Sequence, residues 1–171
     1  TQSDDFSETT PSTKKQFDLL KVLKKELDDL GVKNELTKTG RLYAFVPGNE
    51  ELDAVGVNAH VDTAPDFSGT NVNPQIIEKY DGKTIILGKS GRFLDPNEYT
   101  RLKECVGKTL ITTDGATLLG GDDKAGLAII MEVLEEVLKL DIKERRPMYI
   151  LFTPDEEVGR GAEELDRDKF K

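Results

Sequence analysis

Three short stretches of this chain carry side chains that could do chemistry together. Asn58-Ala59-His60-Val61-Asp62-Thr63 holds the only histidine among 171 residues. Leu119-Gly120-Gly121-Asp122-Asp123 and Thr153-Pro154-Asp155-Glu156-Glu157 supply the carboxylates. A neutral imidazole is a metal ligand, and an acid two residues on, on the same side of a strand, fixes its tautomer and orientation. With carboxylates from the other two stretches, the set suits a divalent ion such as zinc, manganese or cobalt. A bridged pair of such ions would polarise a carbonyl and lower the pKa of a bound water, while a nearby free carboxylate acts as general base. Each stretch also has an ordinary explanation. A lone histidine can be satisfied in or near a core. An aspartate before a helix caps it by accepting a bond from a free backbone N–H. Acids also favour the first turn of a helix. A cap accounts for one of Asp122 and Asp123 and leaves the other without a role.

The elements that must position these groups alternate in type. Pro11-Ser12-Thr13 enters a helix in which Phe17, Leu20, Leu23, Leu27 and Leu30 recur at three- and four-residue spacing, and Gly31 stops it. Residues 33–37 and 41–46 read as strands about a turn at Thr39-Gly40. The run Ala54, Val55, Gly56, Val57, Ala59 reads as a strand buried on both faces that ends at His60. Residues 65–100, rich in Gly, Pro, Asn and Asp, read as a long loop-like excursion with one short strand at 83–87. A strand at 108–113, a helix at 123–140 and an apolar strand at 148–152 complete the pattern. Strands alternating with amphipathic helices indicate an α/β layered fold with its sheet covered on both faces. In such folds ligands gather outside the carboxyl ends of strands, where the three stretches fall.

Composition narrows the function classes. A net charge of -9 argues against nucleic acid or an anionic membrane as partner. No apolar run reaches the roughly 18 to 20 residues that cross a bilayer. The first residues form neither a signal nor a transit peptide, so a cytoplasmic location is expected. They lack an initiating methionine, so the chain is expected to start inside a longer gene product. Cys105 is the only cysteine, which excludes an internal disulfide, and it has no spare histidine to activate it as a nucleophile. Gly120-Gly121-Asp122-Asp123-Lys124 lacks the spacing of a phosphate-binding loop, and its two acids would repel a phosphate.

The segments Val57-Asn58-Ala59-His60-Val61-Asp62-Thr63-Ala64-Pro65-Asp66, Thr112-Thr113-Asp114-Gly115-Ala116-Thr117-Leu118-Leu119-Gly120-Gly121-Asp122-Asp123-Lys124-Ala125-Gly126 and Phe152-Thr153-Pro154-Asp155-Glu156-Glu157-Val158-Gly159-Arg160-Gly161-Ala162 resemble the M20 family of dizinc peptidases. Ser68-Gly69-Thr70-Asn71-Val72-Asn73-Pro74-Gln75 is similar to the tripeptide aminopeptidases of that family. The resemblance implies a three-layer sandwich with a mixed, largely parallel sheet and helices on both faces. It implies His60 as a ligand of one zinc, with Asp62 orienting it. It also implies Asp122 as the bridge between two zincs, joined to Asp123 by a cis peptide, Glu156 as general base and Glu157 as a ligand of the second zinc. Cobalt or manganese would be substitutes. The reaction implied is release of the amino-terminal residue from tripeptides. Other readings are another M20 hydrolase, a dipeptidase or amino-acid deacylase, and a non-catalytic module that keeps the fold for binding.

The family pattern also needs a later aspartate and a distant second histidine, and this chain has neither. Residues 1–171 are therefore expected to be the amino-terminal part of the catalytic domain, with the lid domain downstream. Such a piece is expected to bind metal weakly, to turn over little or no substrate, and to self-associate through exposed apolar surface.

Overall fold

The computed structural model describes residues 1–170, which form two compact units, residues 1–65 with 121–170 and residues 66–120. The first unit is an α/β layer. Helix α1 (Lys14–Asp29) is followed by strands β1 (Lys33–Leu36), β2 (Leu42–Val46) and β3 (Val55–His60). After the second unit come α2 (Gly121–Leu138) and β8 (Met148–Thr153). The strand order is β1-β2-β8-β3, so the last strand in sequence sits between two earlier ones.

Both helices follow from their apolar spacing. Leu20, Leu23 and Leu27 of α1 are buried, and Gly31 ends the helix region in the left-handed conformation (φ 70). Leu127, Ile130 and Leu134 form the buried stripe of α2. These six side chains share one core with Leu42, Ala44 and Val46 of β2, Ala59 of β3, and Met148, Ile150 and Phe152 of β8. On each strand those residues alternate, so they line a single face of the sheet. Burying a leucine of this kind is worth about 1.5–3 kcal/mol.

The fold is α/β with a mixed sheet, as expected, but three expectations need correction. First, the sheet is not largely parallel in these residues. β1–β2 and β2–β8 are antiparallel, and only β3–β8 is parallel. The connection of five residues between β1 and β2 is too short for the crossover a parallel pair needs. Second, α1 and α2 cover the same face. The other face presents Tyr43, Phe45 and Tyr149, against which Phe170 packs from a short 3₁₀ turn. Third, β3 is not buried on both faces. It lies at the sheet edge among the described residues, with Val55, Gly56 and Asn58 exposed and burial complete only at Ala59 and His60.

The second unit replaces the expected loop. Its strands pair antiparallel as β4 (Pro74–Ile77) with β7 (Leu110–Thr113) and β5 (Ile85–Leu87) with β6 (Arg92–Leu94). They enclose a small core of Tyr80, Ile85 and Leu87. No helix among the described residues is long and apolar enough to cross a membrane.

Candidate metal centre

The parallel pair β3–β8 builds the site. Parallel strands end at the same side of a sheet, and His60 lies opposite Thr153 in the register. The chain beyond β3 and the chain beyond β8 therefore leave side by side, and Val61 N–H still donates to the Thr153 carbonyl (2.9 Å). Asp62 follows on the first and Asp155-Glu156-Glu157 on the second. Helix α2 packs on β3 and brings its first turn to the same end.

His60 is 7% exposed and held at both ring nitrogens. Nδ1 faces Asp62, 3.1 Å from its backbone oxygen and 3.3 Å from Oδ1. Nε2 faces outward, 3.0 Å from Asp122 Oδ1 and 3.9 Å from Glu156 Oε2. With the Nδ1 proton given to Asp62, Nε2 is the atom free to bind a metal. Ligand atoms of His60, Asp122 and Glu157 all lie within 4.8 Å of one another. Asp122 and Glu156 are exposed, so the open side of the cluster faces solvent.

Asp62 does more than orient the ring. It is fully buried, and its Oδ1 and Oδ2 accept from the backbone N–H of Glu156 and of Glu157, each at 3.1 Å. One carboxylate thus ties the imidazole to the turn that carries two of the acids. Asp123 plays a matching part on the other flank. Its Oδ1 accepts from Gly126 N–H as the cap of α2, and its Oδ2 accepts from His60 N–H, both at 3.2 Å. Asp122 and Asp123 are joined by a cis peptide.

The electrostatics are those of crowded acids around one base. Burial opposes a charge on His60, but hydrogen bonds to Asp62 and Asp122 and the fields of Asp62 and Glu156 outweigh it, raising its pKa to about 9. Burial likewise opposes the charge of Asp62, yet His60 and the two backbone donors hold its carboxyl below the usual range. Glu157 is raised by desolvation; His60 offsets part of this, and the nearby acids Asp122, Asp62 and Glu156 add to it. Lys124, which donates to the Val61 carbonyl (3.2 Å), is lowered by desolvation.

Comparison with known proteins bears on this geometry. Residues 112–170 match the peptidase family M20/M25/M40. The chain is 50% identical to peptidase T of Staphylococcus aureus (strain Newman), over 99% of its own length and 42% of that relative. The same figures hold for peptidase T of strain JH9. It therefore spans less than half the length of the curated relatives it matches. Among solved structures it resembles a tripeptidase of Staphylococcus aureus, with TM-score 0.62 and 26% identity over 96% of this chain and 37% of that one. It shares its fold with an aminoacylhistidine dipeptidase of Vibrio alginolyticus (TM-score 0.54, 21% identity, 90% of this chain and 27% of the other).

The matched peptidase segment spans Asp122, Glu156 and Glu157, whereas His60 and Asp62 precede it. The structure gathers all five. It also gives roles to Asp123 and Asp155, which stand in the motifs without one, and adds Ser12 and Gln16 from outside them. Asp123 is the cap and the anchor of His60, and Asp155, Ser12 and Gln16 form a buried cluster beside the Glu156 turn. Gln16 carried a signal in the sequence: it is a polar residue on the stripe that Leu20, Leu23 and Leu27 continue.

Proposed function

We propose that this chain is the catalytic part of a metallo-aminopeptidase that releases the amino-terminal residue from tripeptides. The observation that carries the reading is the cluster of His60, Asp122 and Glu157 ligand atoms in a chain half-identical to peptidase T. The donor set fits zinc, which takes imidazole nitrogen and carboxylate oxygen and keeps an open position at catalytic sites. His60 and Glu157 would each hold one of two zinc ions and Asp122 would be shared, with cobalt or manganese as substitutes. Bound there, the metal supplies Lewis-acid polarisation of the scissile carbonyl and a lowered pKa for water.

The chain's own residues do the rest. Asp62 fixes the His60 ring through Nδ1 and holds the amides of the Glu156 turn. Glu156, exposed on the same side as His60 Nε2, takes a proton from the attacking water and returns it to the leaving amine. Further ligands come from the remainder of a longer polypeptide, of which residues 1–171 form the amino-terminal part of the catalytic domain. A single cysteine and an acidic composition support a cytoplasmic enzyme.

The test is a panel of tripeptides, dipeptides and acylated amino acids offered to the full-length protein with zinc, cobalt or manganese. Tripeptides with a free α-amine should be preferred. Glu156→Gln should keep its metal and lose about 10²- to 10⁴-fold in kcat, the usual worth of a general base. A full-length protein inactive on every tripeptide, or a Glu156→Gln variant with unchanged turnover, would overturn the reading.

A further inference from the structure

The turn that carries Glu156 and Glu157 is gripped from two sides. Asp62 holds it at the amides of those two residues. The second grip comes from α1 and acts on Asp155, the residue just before Glu156. Asp155 is fully buried and sits in the left-handed region (φ 57). Its Oδ2 accepts from the Ser12 N–H (2.7 Å), and its Oδ1 accepts from the Ser12 hydroxyl and from Gln16 Nε2 (2.6 Å). Its own N–H donates to Gln16 Oε1 (3.0 Å), so the Gln16 amide reads Asp155 with two bonds. Gln16 is itself fully buried, in the first turn of α1.

Two features distinguish this cluster from ordinary core. All three partners of the Asp155 carboxylate are donors, which only an acceptor on both oxygens can satisfy. The backbone it fixes is one that a non-glycine residue adopts under strain, directly before the proposed base. Glycine would adopt this backbone freely but could make none of the carboxylate's bonds. Four buried hydrogen bonds to residues 139 to 143 positions earlier instead hold one orientation of the turn.

We propose that Asp155, Gln16 and Ser12 are positioning residues, a clamp from α1 that aims the Glu156 carboxylate and sets Glu157 in place as a metal ligand. This rests on the roles proposed above for Glu156 and Glu157. The clamp acts through the turn and touches no substrate.

The test uses the full-length protein and the exchange of amide and carboxylate between positions 16 and 155. Asp155→Asn turns an N–H₂ toward a donor, and Gln16→Glu sets two acids face to face. Each should lower kcat by about 10- to 100-fold with KM within about twofold, and weaken zinc affinity in a competition titration by about tenfold. Combining the two lets donors meet acceptors again and should restore both quantities to within about threefold of wild type. Gln16→Met removes the two Gln16 bonds to Asp155 without a new charge and carries the single-variant expectation should Asp155→Asn fail to fold. Single variants within about twofold of wild type on both readouts would overturn the clamp. So would a combined variant that regains its melting temperature and not its kcat, which would mark the cluster as structural support alone. A wild-type protein that binds zinc and hydrolyses no peptide would instead remove the proposed function, and the zinc titrations would still decide whether the clamp sets the Glu157 site.

Discussion

His60 joins three acids from three parts of the chain, and its proton is where their combined field is read. In the metal-free protein its pKa is about 9, against an ordinary value of 6.5. A raised pKa stabilises the folded state fully below 6.5, and that contribution is lost as pH climbs from 6.5 through 9. The urea midpoint of the metal-free protein should therefore fall across that window, and an NMR titration of the ring should show its midpoint near 9; a ring titrating near 6.5 would refute the argument. On the proposed ligation by His60, zinc would displace this proton, so zinc affinity should rise over the same range. Gly126 makes a second residue-scale case. A Cβ there would lie 2.2 Å from Asp123 Oδ1, the oxygen that caps α2. Gly126→Ala should cost about 1 kcal/mol, the usual worth of a lost cap, and lower the melting temperature accordingly. It should also weaken zinc binding, because Asp123 holds the His60 amide as well. The chemistry-bearing residues were legible in the sequence because their types are rare together: one histidine, an Asp pair after two glycines, and an acidic triplet after an apolar strand. Asp155 was visible but mute, since nothing local says that its partner is Gln16.

Elements were legible to the extent that one periodicity decides them. The stripe of α1 and that of α2 gave both helices nearly to their ends. Leu134, fully buried near the C-terminal end of α2, should show what that stripe is worth: Leu134→Ala is expected to cost about 2–5 kcal/mol, measured by denaturant unfolding. Periodicity says which side of a helix is buried but not which face of the sheet receives it. That the described residues place two helices on one face and none on the other was therefore not readable. β4 and β6 escaped notice because strands of four and three residues in a polar stretch carry too few side chains for an alternation to emerge. The apolar run ending at His60 misled for a related reason. Val55, Gly56 and Val57 are apolar, but whether they are covered depends on a neighbour on the open side of β3, and composition does not show one.

For the whole molecule, the α/β layer of residues 1–65 and 121–170 holds every candidate ligand, and the chain matches 42% of the length of peptidase T. With one imidazole, where the resemblance implies two, the 171 residues expressed alone should bind zinc more weakly than the full-length protein and hydrolyse tripeptides negligibly. Calorimetry and a tripeptide assay on the two side by side check this, and equal turnover would refute it. The strand order has a further consequence, for the chain as it is made. β8 fills the place between β2 and β3, yet it is the last of the four to leave the ribosome. Until residue 153 has emerged, β2 and β3 have no partner for their facing edges, and about ninety residues of nascent chain must wait with those edges unpaired. Synthesis therefore ends this wait and assembles the site within a few residues of each other, as His60, made early, meets the acids that follow β8.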